Sequence, residues 1–329
     1  MGLIDNEQYF VIHAARQSGK TTLLLELADR INAKGDYYGL YCSLETMQGL
    51  TEPEKAIPEI VEKIAFRINR QGLPDGFAKD AKYNNFTNLL NRALGDYCRL
   101  LDKPLIVFFD EADCLSNGTL IAFLRQLREG YISRGSEPFV HSVALVGMRN
   151  IRDYRASIRP ESATLGSASP FNIVAESINL RNFTKDEVAA LYAQHTAETG
   201  QSFEAEAVEY AFEQTQGQPW LVNAIARECV MRIAQGNYSI PITQEIAEQG
   251  IQQIIRARGT HFDSMIERLK EPRVRAIMQP LIMGEEVVYK GSDDYLYTRD
   301  LGLAGATTHF TPAPKSPSAG DNSAKDRVH

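Results

Sequence analysis

The sequence lacks most of the patterns that would fix a function class at once. Its four cysteines, Cys42, Cys98, Cys114 and Cys229, stand far apart with no C-x-x-C pair. That spacing excludes a zinc knuckle and suggests no disulfide framework. With no signal-peptide pattern in view, they read as reduced, mostly core thiols of a cytoplasmic protein. The six histidines are scattered and show no metal-ligand spacing. No apolar run approaches the roughly 20 residues of a membrane-spanning helix, so no membrane partner is expected. Positive charge is also short, with 35 Lys and Arg against 42 Asp and Glu, a net charge of -7. A chain that coats nucleic acid through bulk electrostatics is thereby disfavoured, although a local basic patch stays open.

What is present is ordinary in bulk and specific in one place. At 329 residues, 43% hydrophobic and 23% charged, the chain has the length of two domains or slightly more. The specific place is residues 9–25, YFVIHAARQSGKTTLLL. Tyr9, Phe10, Val11 and Ile12 have the length and composition of a buried strand. A small polar turn follows over 14–19, and Lys20, Thr21 and Thr22 then open a leucine-rich segment with helical spacing. Strand, turn and helix N-terminus is the context that a phosphate-binding loop requires. Backbone N–H groups of Ala14, Ala15, Arg16, Gln17, Ser18 and Gly19 would line an anion site, the helix dipole adds positive character, and Lys20 adds a full charge. Thr21 brings a hydroxyl to the place of a phosphate-bound Mg2+. The match to G-x-x-x-x-G-K-[ST] fails only at its first position, where Ala14 stands for glycine.

Along the chain, residues 22–34 read as a helix stopped by Gly35, and 37–42 as a second strand. Residues 54–70 are amphipathic and helical, 72–84 a loop, and 86–101 a further helix. Leu105 to Phe109 are apolar at every position, as in a strand covered on both faces of a parallel sheet. A helix is expected at 120–127 and strands at 140–148 and 175–180, with a surface loop at 161–172. Strands separated by helices mean an α/β sheet. From Thr184, a plausible N-cap, the pattern turns helical: 186–199, 204–214, 220–233, 243–257, 262–269 and 273–283. Residues 287–289 and 295–297 flank a Gly-Ser-Asp-Asp turn and read as a hairpin, so helices plus hairpin suggest a winged helix. From 304 onward aliphatic residues nearly vanish and prolines recur, the composition of a disordered tail.

The second chemical signal is IVFFDE, residues 106–111. Asp110 at the end of an apolar strand is placed to order Mg2+, and Glu111 to orient or deprotonate an attacking water. An acidic pair at a strand end is often only a solvated turn; its partner upstream, Gly19-Lys20-Thr21, argues for chemistry.

Taken together and in order, HAARQSGKTT, IVFFDE, ALVGMR and TQGQPW resemble the AAA-like and STAND-type P-loop ATPases. The chain looks closest to bacterial AAA-family ATP-binding proteins of the archaeal-ATPase-like kind, from about residue 9 to residue 303. The resemblance implies a three-layer α/β sandwich with a parallel sheet of order 5-1-4-3-2, Walker A and Walker B segments, a helical lid and a winged helix. It divides the chain into an ATP-binding domain over 1–182, a lid over 183–240, a partial winged helix over 241–303 and a tail over 304–329. It also implies that Arg149 matches the sensor arginine near the γ-phosphate, although an arginine at a strand end can equally reach for solvent. Gly217-Gln218-Pro219 matches the turn with which the lid covers the nucleotide, and Pro219 joins the binding set. Trp220 reads as lid core. Arg125, Arg128 and Arg134 are each a weaker candidate for an arginine reaching a neighbour's phosphate. The basic run Arg256, Arg258, Arg268, Lys270, Arg273 and Arg275 is broken by Asp263, Glu267 and Glu271, which leaves nucleic acid with little support. Almost nothing precedes the first strand, and no wing strand follows Asp300-Leu301-Gly302-Leu303, so a chain truncated at both ends is expected. The expected activity is Mg2+-dependent ATP binding with slow hydrolysis to ADP and phosphate, coupled to conformational change. The alternative is a nucleotide-gated module with little turnover, whose product is a protein contact or self-association.

Overall fold

The structure, a computed structural model, describes residues 2–15, 17–78, 85–147, 173–257, 266–283, 293–301 and 303. Two compact units follow one another, Met1–Gly259 and Thr260–His329.

In the first unit a short helix, α1 (Gly2–Asp5), leads into strand β1 (Tyr9–His13), all of it buried. The other strands are β2 (Tyr38–Ser43), β3 (Leu105–Asp110), β4 (Ser142–Gly147) and β5 (Val174–Asn179). They pair in parallel in the order β2-β3-β4-β1-β5, which is the expected 5-1-4-3-2 read from the other edge. Side chains alternate between two apolar layers, as the pleat requires. Tyr9, Val11, Leu40, Cys42, Leu105, Val107 and Phe109 face one core with helices α3 (Pro53–Arg70), α4 (Phe86–Leu100) and α5 (Asn117–Ser133). Phe10, Ile12, Tyr41, Ile106, Phe108, Ala144 and Val146 face the other, with α1 and α2 (Lys20–Lys34). This is a three-layer sandwich. The middle strands β3 and β4 are buried at every position because helices cover both faces.

Among the described strands β2 lies at an edge of the sheet, and side-chain amides dress it. Asn32 of α2 accepts from the Gly39 N–H at 2.8 Å and donates to its carbonyl at 2.9 Å. Gln71, just past α3, accepts from the Tyr41 N–H at 3.0 Å and donates to its carbonyl at 2.8 Å. Each amide stands in for one residue of a missing neighbour strand, which satisfies the edge and blocks its pairing with another chain.

Beyond β5 the first unit becomes helical. Helix α6 (Lys185–Thr199) starts in a full capping box, with Thr184 accepting from the Glu187 N–H and the Glu187 carboxylate accepting from the Thr184 N–H. It packs with α7 (Ala205–Thr215), α8 (Pro219–Arg227), a π-helical turn at Glu228–Ile233 and α9 (Gln244–Ala257) around Val188, Tyr192, Ala211, Val222 and Ile225.

In the second unit α10 (Pro272–Ile282) and α11 (Asp293–Asp300) pack together. The Arg273 guanidinium lies 3.8 Å from the Tyr297 ring centroid, and the Tyr297 hydroxyl donates to Glu271 at 2.9 Å. Here the expected hairpin is corrected, because residues 295–297 are helical. The Thr298 hydroxyl donates to the Asp294 carbonyl and the Leu301 N–H to the Tyr297 carbonyl, both in i to i−4 geometry. Its other arm at 287–289 lies outside the described residues.

Candidate active site

β1 ends at His13, and the chain leaves the sheet at Ala14, which is buried and donates its N–H to the Gly147 carbonyl at 3.3 Å. The turn back into α2 passes through two left-handed residues, Gln17 at φ 58° and Gly19 at φ 83°. At Gly19 that backbone is the reason for glycine, since a Cβ there would meet no atom within 4 Å. Lys20 is the first residue of α2, and its side chain folds back over the turn. It is only 6% exposed, and Nζ donates to the carbonyls of Ala14 at 3.0 Å and Ala15 at 2.8 Å. Ser18 Oγ is buried and has no hydrogen-bond partner among the described residues.

Thr21, the next residue, reaches across to β3. Its hydroxyl donates to Asp110 Oδ2 at 2.7 Å. The Tyr41 hydroxyl from β2 donates to the same oxygen at 3.0 Å, and Oδ1 accepts from the Glu111 N–H at 3.0 Å. Asp110 is 1% exposed, so these three bonds carry the burial of a charge. The Tyr41 hydroxyl is held well above its usual pKa by burial first and then by the Asp110 carboxylate, which keeps it a donor.

Glu111 follows in a left-handed conformation, φ 54°. Burial and then the carboxylates of Asp113 and Asp110 raise its pKa above the ordinary carboxylate range, against the pull of the Lys20 ammonium. Cys114 is pushed up to about 12 by burial and then by Glu111 and Asp113. It is a protonated thiol at neutral pH and no nucleophile.

The set can hold an anion and a hard cation side by side. Thr21 and Asp110 offer oxygen donors of the kind Mg2+ takes. Among the described residues no group of three or more His, Cys, Asp or Glu could hold a metal unaided. A hard cation beside Thr21 and Asp110 would complete its shell with oxygens of water or of a ligand.

The helices beyond β5 are tied to the sheet beside this site. Leu180 donates its N–H to the His13 carbonyl at 3.0 Å, and three residues later the Phe183 N–H donates to the Gly217 carbonyl at 2.9 Å. Gly217 sits at φ 71°, and a Cβ on it would stand 1.9 Å from the Phe183 carbonyl oxygen. Gln218 caps α8 by accepting from the Leu221 N–H at 2.6 Å, and buried Pro219 is its first residue, where a missing N–H costs nothing.

No family model matches the chain, and no curated protein does. Solved structures do. The Walker-type ATPase PABY2304 of Pyrococcus abyssi superposes with a TM-score of 0.61 at 18% identity, over 92% of this chain and 86% of that one. Cdc6p from Pyrobaculum aerophilum superposes with a TM-score of 0.50 at 14% identity, over 89% of this chain and 73% of that one. The chain shares the P-loop α/β fold with these structures.

Within this P-loop fold the sequence-derived residues distribute unevenly. Ala14, Ala15, Lys20, Thr21 and Asp110 are joined by hydrogen bonds, and Glu111 adjoins them. Thr22 is exposed on the first turn of α2. Arg16 and Arg149 lie outside the described residues, as does Arg258. Arg134 is engaged locally, donating to the Glu7 and His141 carbonyls and lying 4.1 Å from the Tyr131 ring centroid. Arg125 is exposed, and the Nε of Arg128 is buried without a partner among the described residues. Sequence reasoning missed Tyr41, Arg67 and Gln71. The signal available was β2 as the neighbour of the Asp-Glu strand, which brings a tyrosine near its end beside Asp110.

Proposed function

We propose that the chain binds ATP with Mg2+ and hydrolyses it slowly to ADP and phosphate, using the change of ligand to alter its conformation. The observation that carries this reading is the 2.7 Å bond between Thr21 at the helix start and Asp110 at the strand end, beside Lys20 folded over its own loop. The amides of Ala14, Ala15, Arg16, Gln17, Ser18 and Gly19, with Thr22 flanking them, would cradle the phosphates. Lys20 would leave the Ala14 and Ala15 carbonyls for the β- and γ-phosphates. Thr21 and Asp110 would hold Mg2+, which when bound neutralises charge on phosphate oxygens. Glu111 would orient the attacking water and take its proton. Arg149 would read the third phosphate, and Pro219 would lead the lid over the nucleotide. The division into ATP-binding, lid, winged-helix-like and tail segments belongs to the same reading.

A second reading, a nucleotide-gated interaction module, draws on one further observation. Lys20 and Asp110 are both satisfied within the protein, so an entering ligand exchanges bonds at the loop and can reset it without turnover. Protein partners or self-association would be its output. Measuring ATP hydrolysis with and without DNA, together with the particle mass with ATP, separates the two. Turnover supports the enzyme; a mass change without turnover supports the switch; no ATP binding sinks both.

A further inference from the structure

Tyr41 sits on the edge strand, where side chains usually have the most freedom, yet it is held on every side. Gln71 brackets its backbone, and Arg67 Nε donates to its carbonyl at 3.1 Å. The Arg67 guanidinium also lies 5.0 Å from its ring centroid. The ring is 6% exposed and packs in the α2-side core with Phe108, Ile106 and Leu24. Phenylalanine would fill that space without bringing a polar atom that must find a partner. The hydroxyl finds its partner in Asp110 Oδ2, on the carboxylate that Thr21 also grips.

Two donors converging on Oδ2 and one on Oδ1 define the carboxylate plane. Without Tyr41 the Glu111 N–H would still hold Oδ1, but Oδ2 would keep the Thr21 hydroxyl as its one donor, on a residue that would itself ligate the cation. A carboxylate that ligates a metal is itself oriented by hydrogen bonds, and loss of such a partner commonly weakens metal affinity about 10–100-fold. We propose that Tyr41 is a positioning residue for the metal site: its hydroxyl, braced by Arg67 and Gln71 of the α3 end, holds Asp110 in the orientation in which it shares a divalent cation with Thr21. This role rests on the nucleotide-site reading above and names the residue that tunes its metal dependence.

The test compares the full-length parent chain with Y41F, measuring ATP binding by calorimetry first in EDTA and then across an Mg2+ titration. The Y41F chain is expected to bind ATP without metal within about twofold of the parent, while the Mg2+ concentration for half-maximal tightening rises about tenfold. A residue that only packs would leave that midpoint in place, and an unchanged midpoint overturns the role. R67M keeps the hydroxyl but removes the brace; it should shift the midpoint in the same direction by less. A larger shift in R67M than in Y41F counts against the hydroxyl as the acting group. A parent chain that binds no ATP overturns the site reading and this role with it. Metal-dependent binding equal in parent and Y41F overturns Tyr41 alone.

Discussion

The Lys20 ammonium is bonded to the Ala15 carbonyl of its own loop at 2.8 Å and to the Ala14 carbonyl at 3.0 Å. The side chain therefore does structural duty whether or not an anion binds. Lys20→Ala should cost about 1–3 kcal/mol, since the buried Ala14 carbonyl loses a charged donor. The same variant should lose ligand protection. ATP with Mg2+ at a hundred times its dissociation constant should add about 2.7 kcal/mol to the parent and nothing to the variant. Thermal unfolding with and without ligand reads both quantities, and equal protection of the two proteins would remove Lys20 from the site.

Glu111 carries a pH signature whose sign is fixed by its surroundings. Burial and the carboxylates of Asp113 and Asp110 raise its pKa, so the folded chain holds this proton more tightly than the unfolded one. Stability from this group is present in acid and is lost as pH rises through the raised pKa. Glu111→Gln should therefore be more stable than the parent at neutral pH, with the difference shrinking toward acid. Hydrolysis has the opposite slope, because a base must be deprotonated: the parent's rate should fall as pH drops through the same pKa. In Glu111→Gln binding should persist while turnover drops by orders of magnitude. Unchanged turnover would assign the water to another group.

What was legible in the sequence was local. The GKT turn, the IVFFDE strand and the Thr184 cap each announce themselves within a few residues, because loop, strand end and cap are short-range devices. The sheet order came with the family resemblance to these motifs. The contacts around Tyr41 span 69 residues to Asp110 and 30 to Gln71, and no periodicity encodes them. The misread strand at 295–297 has a physical reason. Two tyrosines at i, i+2 imitate strand alternation, and the bonds that make the segment helical, Thr298 hydroxyl to the Asp294 carbonyl and Leu301 N–H to the Tyr297 carbonyl, leave no mark in that pattern. Residues 120–127, read as part of a helix, lie on α5, which starts at Asn117 because Ser116 caps it by accepting from the Thr119 N–H.

Gly217 offers a test of how the helices after β5 are tethered. Its left-handed backbone alone would cost a non-glycine residue roughly 1–3 kcal/mol. Its Cβ would also overlap the Phe183 carbonyl, which the Phe183 N–H bond to the Gly217 carbonyl holds in place. Gly217→Ala should destabilise the chain and speed hydrogen exchange at Phe183 and Gly217 ahead of the β1 and β3 amides. Exchange unchanged at Phe183 would mean that this clasp does not tie helices α7 and α8 to the strand before them.

The amide-dressed edge makes the last prediction. Gln71 satisfies both backbone groups of Tyr41, so Gln71→Ala strands an N–H, and Arg67 alone remains on the carbonyl. An unpaired buried group costs about 1–3 kcal/mol, and the loss should appear as a lower unfolding midpoint. Asn32→Ala does the same one pair away at Gly39, where both groups lose their only side-chain amide. The double variant should also expose consecutive outward-facing groups of β2 as a template for a further strand. Light scattering at rising concentration should then report more self-association than in the parent. Introducing lysine at position 71 instead should leave the backbone unsatisfied without raising self-association above the parent's, since charge on an edge opposes strand addition. If all three proteins scatter alike, the two amides act only as local hydrogen-bond partners and the edge is guarded by other means.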